Sequence, residues 1–410
     1  MRVTSFARAV AATLVVLALL ALPAPPPSLA QSRRQAPAPE SPQKKNKRPD
    51  QTEQTGEEPP PKETVQDPAE VVKVTSSLVN VEAVVINKRT KQIVTGLKRE
   101  NFAIFEDNVK QDITNFSTPE APITVAMVLE YSNLLNNYLR SDYYEPGRYE
   151  ILRPMAYFLS QFIKPPDDYV SVVAYDMRAT PITDFTNDPQ RINQVVNIML
   201  RARPVSNEAN LFDALKLVLV GGKADSVVLE ESKSRTTEYG GMVAIQGRRK
   251  AVFLVSTGVD TFSKINYDQA RRVAQDAGIP IYIIGVGNMF LKKYGDYLPP
   301  TDGLLGSTTP GRMTLLQAQN TLSTFAKETG GEYFPITFEG ELNSALQSIN
   351  ALMRNQYSLG YNPGERRDGK KHKIVVKVDV DGDGTLDEKD FIVKARQFYN
   401  APKPDKKGDE

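Results

Sequence analysis

The densest group of chemically active side chains lies near the C-terminus, at residues 379–390, DVDGDGTLDEKD. Aspartates stand at the first, third and fifth places of this stretch, and Gly384 stands at the sixth. Calcium-binding loops of this length place side-chain ligands at those positions and a glycine at the sharp turn. The candidate calcium ligands are Asp379, Asp381, Asp383, Thr385, Asp387 and Asp390.

The residues on either side of this loop predict strands, whereas an EF-hand loop lies between two helices. Ile374, Val376 and Val378 alternate with Lys373 and Lys377, and FIVKARQF after the loop has a strand-like composition. Without a helix pair, the loop cannot open as a calcium sensor does. We therefore predict a calcium-holding turn between two strands, at the tip of a hairpin. The alternative is an acidic hairpin tip that only water surrounds.

Residue counts exclude several other kinds of site. The chain has no Cys, which excludes thiol catalysis and Cys-based zinc sites, and it has a single His. This residue, His372, lies in a lysine-rich predicted strand, which weighs against a Ser-His-Asp triad. With 51 basic and 49 acidic residues, the charge balance does not favour nucleic acid as a partner.

The N-terminal 70 residues predict export and a tether. Residues 1–30 have the basic, apolar and small-residue order of a signal peptide, with cleavage expected after Ala30. The predicted location is therefore periplasmic or extracellular, with membrane contact only through this segment if it stays uncleaved. Residues 31–70 are rich in Pro and charged residues and predict a disordered linker, and residues 401–410 predict a similar tail.

Between these ends, the predicted secondary structure changes from strands to alternating strands and helices, and then back to strands. Residues 71–120 predict strands, residues 121–354 alternate buried strands with amphipathic helices, and residues 355–400 predict strands again. The middle part predicts a doubly wound, mostly parallel α/β sheet with helices on both faces. The outer parts have too few strands to be stable alone, so we expect them to form one small β-sandwich into which the α/β unit is inserted. Segments 222–249 and 288–312 are expected to be loops.

Five stretches occur in a characteristic order: GLKRENFAIFEDNVKQDITNF, NLFDAL, FLVSTGVDT, AKETGGEYF and QYSLGYNP. On these stretches the chain resembles the von Willebrand factor A family, in particular the exported group called the VWFA-related acidobacterial domain. The resemblance implies a Rossmann-like sheet and a non-enzymatic protein that binds a protein or other macromolecule.

The same resemblance locates a metal-ion-dependent adhesion site, and this chain departs from it. Members that bind through magnesium have D-x-S-x-S after the first strand, a later Thr and a late Asp. Here Glu130 replaces the first Asp, Leu134 the second Ser, and Ala209 the Thr. A magnesium ion is therefore not expected. The residues of this degenerate site are Glu130, Ser132, Thr257 and Asp260.

A partner would then bind without metal. The loop after Glu130 carries tyrosines, which are enriched in protein interfaces. They are Tyr138, Tyr143, Tyr144 and Tyr149. We interpret them as a partner-binding loop, although they can equally pack against one another. The leading hypothesis is an exported binding protein for an unknown protein or envelope macromolecule. The alternatives are a calcium-stabilised structural envelope protein and, last, a metal-dependent hydrolase.

Overall fold

A computed structural model describes residues 78–132, 155–156, 159, 162–201, 206–224, 237–302, 310–364 and 368–402. All of them lie in the second of the two units into which the chain divides, Val72–Glu410. The predicted signal peptide, the linker and the four tyrosines of the predicted binding loop lie outside the described residues. Within the described part, no helix has the length and apolarity to cross a bilayer.

The described strands and helices alternate as follows. The strands are β1 Val79–Asn87, β2 Phe102–Glu106, β3 Val109–Gln111, β4 Ile113–Ser117, β5 Ile123–Glu130, β6 Tyr169–Tyr175, β7 Ala179–Thr186, β8 Gly221–Ala224, β9 Thr237–Gly240, β10 Arg249–Ser256, β11 Ile281–Gly285, β12 Tyr333–Pro335, β13 Tyr357–Tyr361, β14 Lys371–Val378, β15 Phe391–Ala395 and β16 Phe398–Asn400. The helices are α1 Pro189–Arg201, α2 Leu211–Val220, α3 Tyr267–Ala277, α4 Gly287–Tyr294, α5 Arg312–Thr329 and α6 Glu341–Arg354.

The central sheet has the order β12-β11-β10-β5-β6-β7 and is parallel except for β7. On β5, Val125 and Met127 face a core shared with α1 and α6, while Ala126 and Val128 face a second core shared with α2, α3 and α5. A strand covered on both faces is apolar throughout, which is why β5 reads as one continuous apolar run. The predicted doubly wound α/β fold is confirmed.

The flanking strands form two antiparallel sheets that pack face to face. Their orders are β15-β1-β13-β4 and β16-β14-β2-β3, so each sheet combines strands from before and after the α/β unit. The alternating apolar residues of β1 and β14 meet in one core, where the rings of Phe102 and Tyr357 lie 5.0 Å apart. The predicted sandwich with an inserted α/β unit is therefore present.

One predicted strand region is divided between two sheets, and two predicted loops are wrong. The stretch FIVKARQFY divides into β15 and β16, which belong to different sheets, because the chain turns at the buried Arg396. The guanidinium of Arg396 donates to the carbonyl of Gln275 at the end of α3. The predicted loops at 222–249 and 288–312 also contain structure: the β8–β9 hairpin and most of α4. Packing of Phe290 and Leu291 against the core stabilises α4.

Arg249 connects the two places where the chain enters and leaves the α/β unit. Its side chain is 2 % exposed. Nε and Nη2 donate to the carbonyl of Ala121, before β5, at 2.8 and 2.5 Å. Nη1 donates to the carbonyls of Met353 and Gln356, at the end of α6, at 3.2 Å each. The two junctions with the sandwich are thus held by one buried cation.

Candidate functional site

The polar groups at the C-terminal edge of the central sheet surround the carboxylate of Glu130, the last residue of β5. The hydroxyl of Ser132 donates to Oε1 at 2.6 Å. The backbone N–H of Thr257 donates to Oε2 at 2.7 Å, and the Thr257 hydroxyl lies 2.9 Å from the same oxygen. Three of the four predicted residues of the degenerate site therefore lie together.

Two further residues complete this group, and sequence reasoning missed both. The hydroxyl of Ser256 donates to Glu130 Oε2 at 3.1 Å, and the phenol of Tyr175 donates to Ser256 Oγ at 2.7 Å. Burial, with the charge of Glu130, raises the pKa of Tyr175 well above its usual value, so the phenol stays a neutral donor. Tyr175 and Ser256 end β6 and β10, the strands beside β5. Their positions at parallel strand ends were the available signal.

Asp260, the fourth predicted residue, lies apart from this group. Its carboxylate accepts the Phe212 N–H at 3.2 Å and the Ser263 hydroxyl at 2.5 Å, and thereby serves the first turn of α2. Burial raises its pKa. Ala209, at the position of the family's Thr, is fully buried and its backbone N–H donates to the Thr261 hydroxyl. Among the described residues, no hydrogen bond joins Asp260 to Glu130.

At the C-terminal edge of the sheet, hydroxyl and amide donors of neighbouring residues converge on the carboxylate of Glu130. An ionised carboxylate offers about four lone-pair positions. The donors that face Glu130 are the hydroxyls of Ser132, Tyr175, Ser256 and Thr257 and the Thr257 backbone N–H. Together they fill the acceptor capacity of the carboxylate with donors of the same chain.

The acidic loop 379–390 is the second polar location. Carboxylate oxygens of Asp379, Asp381 and Asp387 all lie within 4.8 Å of one another. Asp379 accepts the N–H groups of Gly382 at 2.7 Å and Gly384 at 2.9 Å, which folds the loop around it. Gly384 has φ +88°, as a glycine at a sharp turn requires.

The other predicted ligands of the loop are turned elsewhere. Asp383 accepts the N–H of Thr385 at 2.7 Å, and hydrogen bonds from Thr385 lower the pKa of this aspartate. Asp390 lies 4.0 Å from the guanidinium of Arg89. The structure therefore brings three of the carboxylates together and leaves two outside that group.

The predicted hairpin at this loop is wrong. The loop leaves β14, which pairs with β2 and β16, and enters β15, which pairs with β1 in the other sheet. At its start the Asp379 N–H donates to Asn101, and at its end the Asp390 carbonyl accepts from Lys88. The loop thus connects the two sheets of the sandwich. Strand periodicity alone cannot distinguish this connection from a hairpin, since both have strands on each side.

His372, in β14, belongs to a second group of possible metal ligands. One nitrogen or oxygen atom each of His372, Glu106 and Asp107 lies within 4.8 Å of the other two. Its Nδ1 is 2.7 Å from Asp107 and its Nε2 is 3.1 Å from Asp368. Burial favours the neutral ring, but these two carboxylates outweigh it and raise the pKa of His372. Both ring nitrogens are therefore hydrogen-bonded to carboxylates of the same chain, and this group is read as a hydrogen-bonded histidine within the sandwich.

Comparison with known proteins gives one family and several structures. Residues 148–296 match the family model described as von Willebrand factor type A domain. Proximal thread matrix protein 1 from the mussel byssus is 14 % identical, with 60 % of this chain and 50 % of that chain covered and a TM-score of 0.38. The chain thus spans about half the length of the mussel protein. A further structure of that protein is described as having a zinc-occupied MIDAS motif, at 14 % identity, 60 % and 49 % coverage and a TM-score of 0.37.

Two bacterial pilus proteins also match. The vWF domain of the type V pili tip protein Mfa5 from Porphyromonas gingivalis is 14 % identical, covers 57 % of this chain and 95 % of that chain, and has a TM-score of 0.35. The PilB minor pilin from Streptococcus sanguinis is 12 % identical, with 57 % and 61 % covered and a TM-score of 0.36. TM-scores of this size reflect partial likeness and carry no functional conclusion. No curated protein matches the sequence.

Proposed function

We propose, from the match of residues 148–296 to the von Willebrand factor type A domain, that the chain is a non-enzymatic, exported protein that binds a protein or other macromolecule without a bridging metal. Domains of this family are usually binding domains. The main support for a binding mode without metal is that the carboxylate of Glu130 is fully hydrogen-bonded within the chain. It lies at the edge where open α/β sheets bind ligands.

The residues at this edge do not fit a magnesium ion. Magnesium requires oxygen ligands in near-octahedral geometry, and Leu134 and Ala209 have no side-chain oxygen. The acceptor positions of Glu130 are filled by hydroxyl and amide hydrogens of the same chain. A cation would have to displace these donors without gaining the missing ligands. Partner recognition therefore relies on surface contacts around the edge.

The arrangement also disfavours catalysis. A hydrolase needs a nucleophile, a base and an oxyanion site that act on one substrate atom. At this edge, the hydroxyls of Ser132, Ser256 and Thr257 donate to a single carboxylate. Each is committed to its partner in the folded chain, which suits a rigid binding platform.

Export belongs to the same proposal. The basic, apolar and small-residue order of residues 1–30 supports secretion through a signal peptide. The Pro-rich and charged composition of residues 31–70 supports a spacer between the envelope and the folded part. Membership of the acidobacterial group stays a prediction.

Capture of a partner tests the proposal. The tagged full chain is cross-linked in an envelope extract of its host, with magnesium or with a chelator, and retained proteins are compared. We expect the same partner in both conditions, because the adhesion edge does not use metal. Replacing Tyr138, Tyr143, Tyr144 and Tyr149 with serine is expected to lower retention at least about tenfold, since aromatic anchors dominate interface energies.

One control variant and two contradicting outcomes complete the capture experiment. Serine at Tyr297, which is 86 % exposed, removes a tyrosine from another surface and should leave retention unchanged. Retention that requires magnesium would contradict the metal-independent mode. Retention that survives in the four-tyrosine variant would remove the loop from the proposal.

A second candidate function is structural, namely a sandwich stabilised by calcium. The specific observation is the convergence of Asp379, Asp381 and Asp387 in a loop that connects the two sheets. Three carboxylates this close repel one another, and a calcium ion with oxygen ligands would relieve the repulsion. An ion bound there would restrain both sheets, because the loop's two ends belong to different ones.

Calcium is accordingly expected to raise the melting temperature of the full chain. A ligand at a hundredfold excess over its Kd stabilises by about 2.7 kcal/mol. Asp379→Asn should abolish the calcium effect, because Asp379 both folds the loop and belongs to the group of three carboxylates. Differential scanning calorimetry with calcium and with chelator measures the change in melting temperature. Asp112→Asn, an exposed change elsewhere on the sandwich, should keep the wild-type response. Equal melting temperatures with and without calcium would reject the structural role.

A further inference from the structure

A groove with a volume of about 490 Å³ runs beside α2, next to the edge of the central sheet. It lies between α2, the residues after β6 and the residues after β10. The backbone of Asn210, which begins the groove, donates to Asp176 directly after β6. The groove is therefore continuous with the edge but does not include Glu130. We call it the α2 groove.

The charged side chains of the α2 groove are mostly basic. Lys216, Lys223 and Lys264 are exposed and line it, and among the described residues none of the three forms an ion pair. Arg178 lines it as well. Asp213 is its acidic residue, and its carboxylate already accepts the backbone N–H of Lys264 at 2.9 Å. The groove thus presents three exposed lysines that form no ion pair with any residue of the described part of the chain.

The same groove exposes apolar surface. Phe262 is 53 % exposed and Met177 is 36 % exposed, and both line it. Exposed aromatic and methionine side chains beside a concave surface are typical of protein-binding sites. In the groove wall, Asn210 Oδ1 is buried and has no hydrogen-bond donor among the described residues.

We propose that the α2 groove binds an acidic peptide segment of the partner that carries an apolar side chain. The carboxylates pair with Lys216, Lys223 and Lys264, and the apolar side chain packs on Phe262 and Met177. Charge complementarity favours this occupant, because a basic segment would be repelled by the lysines and a purely apolar segment would leave them unpaired. The inference rests on the proposed binding function and adds the chemistry of the partner.

A labelled peptide that alternates glutamate with leucine is the probe, and fluorescence anisotropy with the full chain is the measurement. We expect saturable binding that weakens as salt rises, because exposed ion pairs are screened. The double variant Lys216→Gln and Lys264→Gln should weaken binding about tenfold, since each exposed pair contributes little alone. Phe262→Ser should weaken binding with the salt dependence retained.

Matched controls locate the effect. Lys110→Gln, on β3 of the sandwich, removes an exposed lysine elsewhere and should leave peptide affinity unchanged. A peptide with glutamine in place of glutamate should not bind. Melting curves establish that each variant is folded. Equal affinity of wild type and the folded double variant, or equal binding of the neutral peptide, would overturn the proposal.

The peptide-binding experiment and the partner-capture experiment can fail independently of each other. If an envelope partner is captured equally by wild type and the double variant, the groove proposal fails and the binding function stands. If the peptide binds through the lysines but no partner is captured, the groove stands and the proposed function fails.

Discussion

Replacing Arg249 with methionine is expected to lower the free energy of unfolding by about 4 kcal/mol, since hydrogen bonds to buried charged groups and unsatisfied buried carbonyls are each costly. Methionine fills a similar volume but donates no hydrogen bond. The carbonyls of Ala121, Met353 and Gln356 would lose their donor, and the first of them accepts two bonds. These carbonyls flank the α/β unit, so the variant should weaken both junctions with the sandwich at once.

Urea denaturation followed by far-UV circular dichroism and by tyrosine fluorescence measures this loss. The chain has no Trp, so tyrosines report on tertiary structure. Arg272→Met, an exposed change on α3, is the matched control and should shift stability by less than about 0.5 kcal/mol. Arg249→Lys should fall between them, because an ammonium reaches fewer carbonyls than the planar guanidinium. A loss for Arg249→Met no larger than that of the control would contradict the bridging role.

The wild-type chain is expected to lose about 3 kcal/mol of stability through Glu82 as the pH rises from 4.5 to about 7, and Glu82→Gln should abolish this loss. Glu82 lies in β1, is 8 % exposed, and faces the α/β unit. Its carboxylate accepts from Ser358 at 2.8 Å and from Gln356 at 3.2 Å. Burial raises the pKa of Glu82 from 4.5 to about 7, although those hydrogen bonds and the charge of Arg249 oppose the shift.

The direction follows from proton binding. With a raised pKa, the folded chain holds a proton on Glu82 that the unfolded chain releases, at any pH between 4.5 and about 7. Stability from this group is therefore full below pH 4.5 and falls as the pH rises towards 7. Glutamine does not titrate, so the variant should lose less stability over the same interval.

The comparison is made by thermal and urea unfolding at several pH values. Other titrating groups contribute equally to both proteins and cancel in the difference. Glu100→Gln, an exposed change in the sandwich, should keep the wild-type pH profile. Parallel profiles for wild type and Glu82→Gln would show that Glu82 titrates normally in the folded chain.

Local patterns in the sequence predicted most of the architecture. The apolar run of β5 and the amphipathic spacing of α6 depend on which faces of each element are covered, and that is encoded in adjacent residues. The turn between β2 and β3 also depends on adjacent residues, because Asp107 and Asn108 both have positive φ, at 49° and 68°, as a tight hairpin turn requires. The division between β15 and β16 was not predictable in this way, because the buried Arg396 turns the chain through a contact with α3.

The sequence by itself determined which ligand atoms are available: a carboxylate at Glu130, no side-chain oxygen at Leu134 or Ala209, and an aspartate-rich loop. Tertiary structure decided what those atoms do. Tyr175 and Ser256 reach the group around Glu130 only because β6 and β10 lie beside β5. The acidic loop joins two sheets because its flanking strands pair with different neighbours. Strand pairing and burial depend on residues that are far apart in the chain, so a local sequence pattern cannot predict them.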